Sequence, residues 1–343
     1  MLCKKWEGAI IIMNKKTRNL FALGLSFAIL LTTVVWKSAA SASTILGGDD
    51  RYGTALKIVQ KGWTTSDNVI IARGDDLADA LVAAPLAYAK DKAPILLTNS
   101  KTLSPGVLNE LVRLDVKNVY IIGGIGAIST AVQNQLNDYN VKRISGKNRF
   151  DTSYEIAVEA FDTIPTEVVI ANGLAYADAL SISSIAAQKG MPILLVNNKT
   201  SLSKNQKNYI SDSTAYAVGG NGVLSETIVK AANATRISGI NRYETNAAIL
   251  KYFPQDYSKV YIAKGTNNNL VDALAGSALA ALGNNPIVLV DGKSTLIPNL
   301  TNVMKARLSY DSTEVLLGKA VSESITNDVE ALKPKPLKVL SIN

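Results

Sequence analysis

The 343 residues are 47% hydrophobic and 19% charged, a composition that excludes a chain disordered along its whole length. The formal net charge of +8 is unevenly placed, because residues 1–42 hold six basic residues and one acidic residue. The remaining 30 basic and 27 acidic residues nearly balance, so the composition gives no reason to expect DNA or RNA as a partner. The chain has no histidine, which excludes Ser-His-Asp and Cys-His hydrolysis and the usual His-bearing zinc sites.

The first 42 residues have the pattern of a secretory signal. A basic segment at 13–19 precedes an apolar run at 20–36 and the small residues SAASAS. We predict translation from Met13, cleavage near Ala42 and export, with no membrane segment after cleavage. A retained membrane anchor is the alternative, since the apolar run lies at the lower length limit for spanning a bilayer. Cys3 precedes Met13, so we expect neither a disulfide nor a lipidated cysteine in the mature chain.

One phrase occurs three times in the rest of the chain. It reads ILGGDDRYGT at 45–54, RISGKNRFDT at 143–152 and RISGINRYET at 236–245. Each phrase contains an arginine, and a D-A-L triplet with an aspartate follows it. From one copy to the next, the arginines and the aspartates each recur after 93 to 99 residues. We name them the repeat arginines (Arg51, Arg149 and Arg242) and the repeat aspartates (Asp79, Asp178 and Asp272). Three homologous domains are predicted at 44–141, 142–234 and 235–332, followed by a short tail at 333–343.

Each repeat alternates short apolar runs with helical patterns, in the order β-α-β-α-β-α-β-α. The apolar runs, such as NVIIARG and EVVIANG, are continuously hydrophobic and rich in β-branched residues, which is typical of parallel strands buried on both faces. Ser104 and Pro105 are predicted to open one helix, and Ser129, Ser225 and Ser322 to open the last helix of each repeat. The predicted fold class is α/β, with helices on both faces of parallel sheets. Short connections favour three modules packed about a pseudo-threefold axis.

The repeat arginines are predicted to lie in the first turn of a helix, because Asn148 and Asn241 are suited to cap it. A cation at this position is repelled by the positive end of the helix dipole, which destabilises the helix by about 0.3–1 kcal/mol. We therefore expect a protein carboxylate or an anionic ligand to compensate for it. One hypothesis is a structural bridge to the repeat aspartates, within a module or across a junction. The other is that the guanidinium groups bind phosphate or carboxylate groups. The sequence leaves both open, and one residue can serve in both roles.

The repeat aspartates follow the carboxyl end of a strand, which is the edge where open α/β sheets bind ligands. The alternative is an acid that only stabilises a helix N-terminus. Gly123, Gly124 and Gly126 follow another strand but lack the full G-x-G-x-x-G spacing, so we interpret them as turn glycines and not as a nucleotide site. No cofactor, metal or catalytic residue is predicted. Threefold repetition also disfavours a glycosidase with one pair of carboxylates and favours binding.

The phrases RISGxNRYET, ANGLAYADALSISSIAA, PILLV and AVGG resemble the cell wall binding repeat of the type 2 family, which occurs in threes on Gram-positive surface proteins and autolysins. The resemblance covers residues 45–332. It implies three Rossmann- or toprim-like modules in a pseudo-trimer, and noncovalent attachment to an anionic wall polysaccharide or teichoic-acid-like polymer. It also implies the repeat arginines and aspartates as ligand-binding positions. Asp49, Asp50, Lys319 and the extra asparagines at 267–269 depart from the other copies and imply that the first and third sites are weakened or retuned.

We therefore expect a secreted, wall-associated binding protein without catalytic activity. An autolysin-related N-acetylmuramoyl-L-alanine amidase, or a modifier of one, is an alternative. The missing histidine and the lack of a separate catalytic domain count against it. A surface-array component or adhesin is a further alternative, which assembly of the pure protein into sheets would distinguish.

Overall fold

Three four-stranded parallel sheets form the fold, which agrees with the predicted α/β class. The computed structural model describes residues 43–198, 202–292 and 296–335. The predicted signal sequence and residues 336–343 of the tail lie outside these ranges. The first eight elements in chain order are β1 (Thr44–Leu46), α1 (Arg51–Gly62), β2 (Asn68–Arg73), α2 (Ala83–Ala89), β3 (Ile95–Thr98), α3 (Val107–Leu114), β4 (Asn118–Ile122) and α4 (Thr130–Asn134).

The same order of elements recurs twice more along the chain. The next eight elements are β5 (Asn140–Ile144), α5 (Arg149–Ala160), β6 (Glu167–Asn172), α6 (Tyr176–Lys189), β7 (Ile193–Val196), α7 (Lys204–Tyr209), β8 (Thr214–Val218) and α8 (Glu226–Ala231). The last eight are β9 (Thr235–Ile237), α9 (Arg242–Tyr252), β10 (Lys259–Lys264), α10 (Leu270–Leu282), β11 (Ile287–Val290), α11 (Pro298–Arg307), β12 (Thr313–Leu317) and α12 (Glu323–Leu332).

The strand that leads into each repeated phrase joins the sheet of another module. The spatial strand orders are β3-β2-β4-β5, β7-β6-β8-β9 and β11-β10-β12-β1. Thus β5 pairs with β4, β9 pairs with β8, and β1 pairs with β12 in a register that places Thr44 opposite Val315 and Leu46 opposite Leu317. The first strand of the fold therefore completes the third sheet, and the three modules are linked in a closed cycle.

The helices that carry the repeat aspartates or directly follow them meet at the centre of the molecule. Helices α2, α6 and α10 pack against one another, and Leu86, Ile185 and Leu279 from these helices belong to one hydrophobic core that extends through all three modules. Their many Ala, Ser and Gly residues allow close approach, because small side chains keep interior packing dense. Two smaller cores lie against the second and third sheets and include Ile228 and Ile325 from the last helices of those repeats.

The closing strand β1 should contribute measurably to stability. Leu46 is 7% exposed and belongs to the shared core, whereas its neighbour Ile45 is 58% exposed. We expect Leu46→Ala to lower the free energy of unfolding by about 2 kcal/mol, since it removes buried methyl groups. The matched control Ile45→Ala should change it by less than about 0.5 kcal/mol. Urea unfolding measures both, and equal losses would contradict the role of β1 in closing the cycle.

The predicted start of α3 is wrong by two residues. Ser104 and Pro105 precede the helix, which begins at Val107 after Gly106 with a φ of 83°. The Ser104 hydroxyl instead accepts a hydrogen bond from the Asn99 backbone N–H at 3.2 Å, so it belongs to the turn that follows β3. The serines predicted to open the last helix of each repeat do occupy N-cap positions; they are Ser129, Ser225 and Ser322.

Candidate functional site

Each repeat arginine is the first residue of a helix at the carboxyl edge of a sheet. The side chain before it caps that helix by accepting a hydrogen bond from a first-turn backbone N–H, as predicted for the two asparagines. The caps are Asp50, Asn148 and Asn241. Because the cap fixes the first turn, it also fixes the direction from which the arginine side chain leaves the helix.

Each guanidinium donates a hydrogen bond to an equivalent backbone carbonyl oxygen in its own repeat. The oxygen belongs to the glycine that follows the next strand. The Nη1–O distances are 2.7 Å from Arg51 to Gly74, 3.0 Å from Arg149 to Gly173 and 2.8 Å from Arg242 to Gly265. None of the described residues accepts a hydrogen bond from Nε or Nη2 of these arginines, and all three side chains are half-buried. A guanidinium has five N–H donors, so each keeps donors for an external acceptor.

Two arginines have a second partner after the same strand, which is the first residue of α6 for Arg149 and a loop residue for Arg242. Arg149 donates to the Tyr176 hydroxyl at 2.8 Å, with its guanidinium carbon 5.9 Å from the centre of that ring. Arg242 donates to Oδ1 of Asn267 at 2.6 Å. Sequence reasoning missed Tyr176, and it noted Asn267 only as one of the extra asparagines of the third repeat, because the segments after these strands differ among the repeats in length and residue type. An aromatic or amide residue soon after a strand-ending glycine is the only signal that could have identified them.

The repeat aspartates face the arginine of the following repeat, and the third faces the arginine of the first. Burial raises the pKa of all three aspartates, and the charge of one arginine opposes that rise at each of them: Arg149 at Asp79, Arg242 at Asp178 and Arg51 at Asp272. In none of these three pairs, all within the described residues, is the contact short enough for an ion pair. The structure therefore brings the predicted residues together at the three module junctions without joining them directly.

Burial of these carboxyl groups outweighs the attraction of the arginines. It raises the pKa of Asp178 and of Asp272 to about 6, and it also raises the pKa of Asp79. Asp178 and Asp272 are each only 7% exposed, so desolvation disfavours their charged forms. The attraction of Arg242 and a hydrogen bond from Thr245 offset part of this effect at Asp178. The carboxyl groups therefore lose their protons at a higher pH than ordinary aspartates.

A glycine with positive φ lies against each of these carboxyl groups. Gly219 has a φ of 120°, and a Cβ at this position would lie 2.9 Å from Oδ2 of Asp178. Gly318 has a φ of 81° and lies in the same way against Asp272. A side chain here would be disfavoured by the positive φ and would collide with the carboxyl group, so glycine is required. These glycines form tight turns that pack on the carboxyl groups.

Among the described residues, open clefts lie at the junction of the second and third repeats and at that of the third and first. The cleft between the second and third repeats has a volume of about 340 Å³ and is lined by Asp178 and Arg242, among others. The cleft between the third and first repeats has a volume of about 430 Å³ and is lined by Arg51, Asp272 and Lys319. In this second cleft Lys319 forms an ion pair of 2.9 Å with Asp49, so the two departures from the repeat pattern neutralise each other.

The described ranges offer no group of acidic or cysteine side chains arranged to bind a metal ion. Within the same ranges, every helix is too short or too polar to cross a lipid bilayer.

Comparisons with known proteins agree with the repeat arrangement. N-acetylmuramoyl-L-alanine amidase LytC of Bacillus subtilis is 38% identical over 278 residues, which are 79% of this chain and 55% of that protein. The amidase enhancer of the same organism is 34% identical over 271 residues, which are 77% of this chain and 37% of that protein. The solved structure of Cwp8 from Clostridium difficile superposes with a TM-score of 0.79 and 29% identity, covering 93% of this chain and 55% of Cwp8.

This chain spans about half or less of the length of these relatives. The family described as cell wall binding domain 2 matches it three times, at residues 45–133, 143–229 and 236–328. These matches coincide with the three copies of the repeated phrase and of the arginine and aspartate positions. The chain belongs to the cell wall binding domain 2 family.

Proposed function

We propose that this chain is a secreted, non-catalytic protein that attaches noncovalently to an anionic polymer of the cell wall through its three module junctions. One observation carries the proposal. At each junction a half-buried guanidinium is held on one side by a glycine carbonyl and forms no ion pair with any described carboxylate. Its free donors suit phosphate or carboxylate oxygens, which a planar guanidinium binds with two parallel hydrogen bonds.

Three weak sites on one chain are sufficient for firm attachment. A polymer carries the same anionic group many times, so the second and third contacts form within one complex and raise the overall affinity. Family membership supports association with the wall, and the N-terminal sequence pattern supports export. The absence of histidine from the sequence and the repetition of the site both favour binding over catalysis.

Sedimentation with wall sacculi tests the proposal. Purified residues 43–343 are mixed with sacculi before and after chemical removal of the anionic polymers. We expect the protein to pellet with the intact sacculi and to stay in the supernatant once the polymers are removed. Equal binding to both preparations would contradict the proposal, since the contact would then be to peptidoglycan itself.

A second candidate is amidase activity on the wall, favoured by the similarity to the amidase LytC and to the amidase enhancer. The buried carboxyl groups with a pKa of about 6 also suit a general acid or base. A zymogram with wall material distinguishes this candidate. A clearing band that appears with the pure chain and disappears in Asp178→Asn would support it, and the absence of any band would leave binding as the function.

A further inference from the structure

A cavity lined by residues of all three repeats lies next to the two junction clefts. This central cavity has a volume of about 430 Å³ and is lined by loops that follow β2, β6 and β10, one from each repeat. It shares Tyr176 and Asn267 with the cleft between the second and third repeats. It shares Arg51 and Asn268 with the cleft between the third and first repeats. Two junction clefts therefore adjoin the central cavity, and we refer to the three together as the groove.

Each repeat arginine either lines this cavity or donates a hydrogen bond to a side chain that lines it. Arg51 lines it directly. Arg149 is connected to it through the Tyr176 hydroxyl, and Arg242 through the Asn267 side chain, because both of these partners line the cavity. A ligand in the groove can therefore contact the cavity and a junction arginine at the same time.

The centre of the groove differs in chemistry from its ends. Asp75 and Asp76 are exposed acids on the wall of the cavity, and Asp75 also forms an ion pair of 2.9 Å with Arg73. Leu174 and Tyr176 line the same cavity, and Leu174 is 63% exposed. Arg51 on the same wall and Arg73 offset the charge of these two acids, so the cavity attracts an anion less than a junction arginine does, while the carboxylate oxygens remain hydrogen-bond acceptors. A sugar ring would instead donate its hydroxyl groups to them and pack its C–H face on the apolar side chains.

We propose that one polysaccharide strand lies along this groove, with anionic groups at the junction arginines and an uncharged sugar in the central cavity. This inference rests on the proposed function and adds a ligand class to it. The groove would select wall polymers in which uncharged sugars separate the anionic groups. It would bind a polymer with phosphate at every short backbone unit, such as poly(glycerol phosphate), more weakly.

Filling the cavity tests the path of the strand. Asp75→Trp places a bulky side chain in the centre, and Asp67→Trp is the matched control, since both exposed acids flank β2 and each forms one surface ion pair. Both variants are titrated with polysaccharide released from sacculi and separated by length. We expect Asp75→Trp to keep the affinity for the shortest anionic fragments and to lose roughly tenfold or more for long ones, because the sites become unlinked. Asp67→Trp should match the wild-type protein.

The outcomes separate this inference from the proposed function. If wild-type protein binds long polymer and Asp75→Trp binds every length equally well, the groove is overturned while wall binding stands. If the wild-type protein does not bind the polymer, both proposals fail. A second experiment uses only the wild-type protein and compares how well two soluble polymers displace it from sacculi. At equal phosphate concentration the released polysaccharide should displace sacculus-bound protein at least about tenfold better than poly(glycerol phosphate), and equal displacement would overturn the selection of an uncharged central sugar.

Discussion

A variant with all three repeat arginines replaced by glutamine should bind wall sacculi at least about 100-fold more weakly than the wild-type protein. The replaced residues are Arg51, Arg149 and Arg242. Each guanidinium offers donors to an anionic group, and the three sites act together on one polymer, so their loss removes both the single contacts and the linkage among them. Sedimentation at increasing protein concentration measures the affinity. Each single variant should lose much less, because two linked sites remain.

The control removes the same charge from another part of the surface. Lys61, Lys117 and Lys207 are exposed and line neither the junction clefts nor the central cavity. Their joint replacement by glutamine should leave binding within about threefold of the wild-type value, since long-range charge effects are screened at physiological salt. Each arginine replacement also removes at least one hydrogen bond worth about 1 kcal/mol, so the triple variant must be shown to fold. Thermal unfolding of both triple variants makes this check. Equal weakening in both would mean that net charge, and not the junctions, drives binding.

The repeats and the α/β class could be predicted because they follow from local patterns. Short continuous apolar runs rich in β-branched residues favour buried parallel strands, and the D-A-L triplets recur in register. Asn148 and Asn241 could be identified as caps because capping depends on residues only two or three positions away. Ser104 misled the prediction because its hydroxyl is used by the turn after β3, a contact that no helix pattern contains.

The connections across modules could not be predicted because they depend on tertiary packing. The run Thr44–Leu46 could pair with any of the three sheets, and only the packed structure places it beside β12. In the same way, spacing alone left open whether Asp79 faces the arginine of its own repeat or Arg149 of the next. The junction arrangement answers this question. A further question is whether the repeat aspartates stabilise the junctions or weaken them.

The buried acids should weaken the fold at neutral pH. Asp178 and Asp272 have a pKa of about 6 in the folded protein against a reference value of 3.8, and burial is the main cause. Between these two values the folded protein binds more protons than the unfolded chain, so the free energy of unfolding falls as pH rises. The penalty is complete above pH 6 and disappears below about pH 4.

Replacing both acids with asparagine should therefore stabilise the protein at pH 7.5, by about 2 to 4 kcal/mol for the double variant Asp178→Asn/Asp272→Asn. At pH 4 the variant and the wild-type protein should unfold at nearly the same urea concentration, because the carboxyl groups are then neutral as well. The control Asp67→Asn alters an exposed acid with a surface ion pair to Lys117 and should have little effect at either pH.

The sign of this change decides between the two hypotheses for the junctions. If each aspartate serves mainly as a structural partner of an arginine, the double variant loses that attraction and is less stable than the wild-type protein at pH 7.5. If it is more stable, the acids are kept although they weaken the fold, which is expected of groups that face a ligand. Urea unfolding at both pH values, with sedimentation on sacculi at pH 7.5, then shows whether the stabilised variant has lost polymer binding.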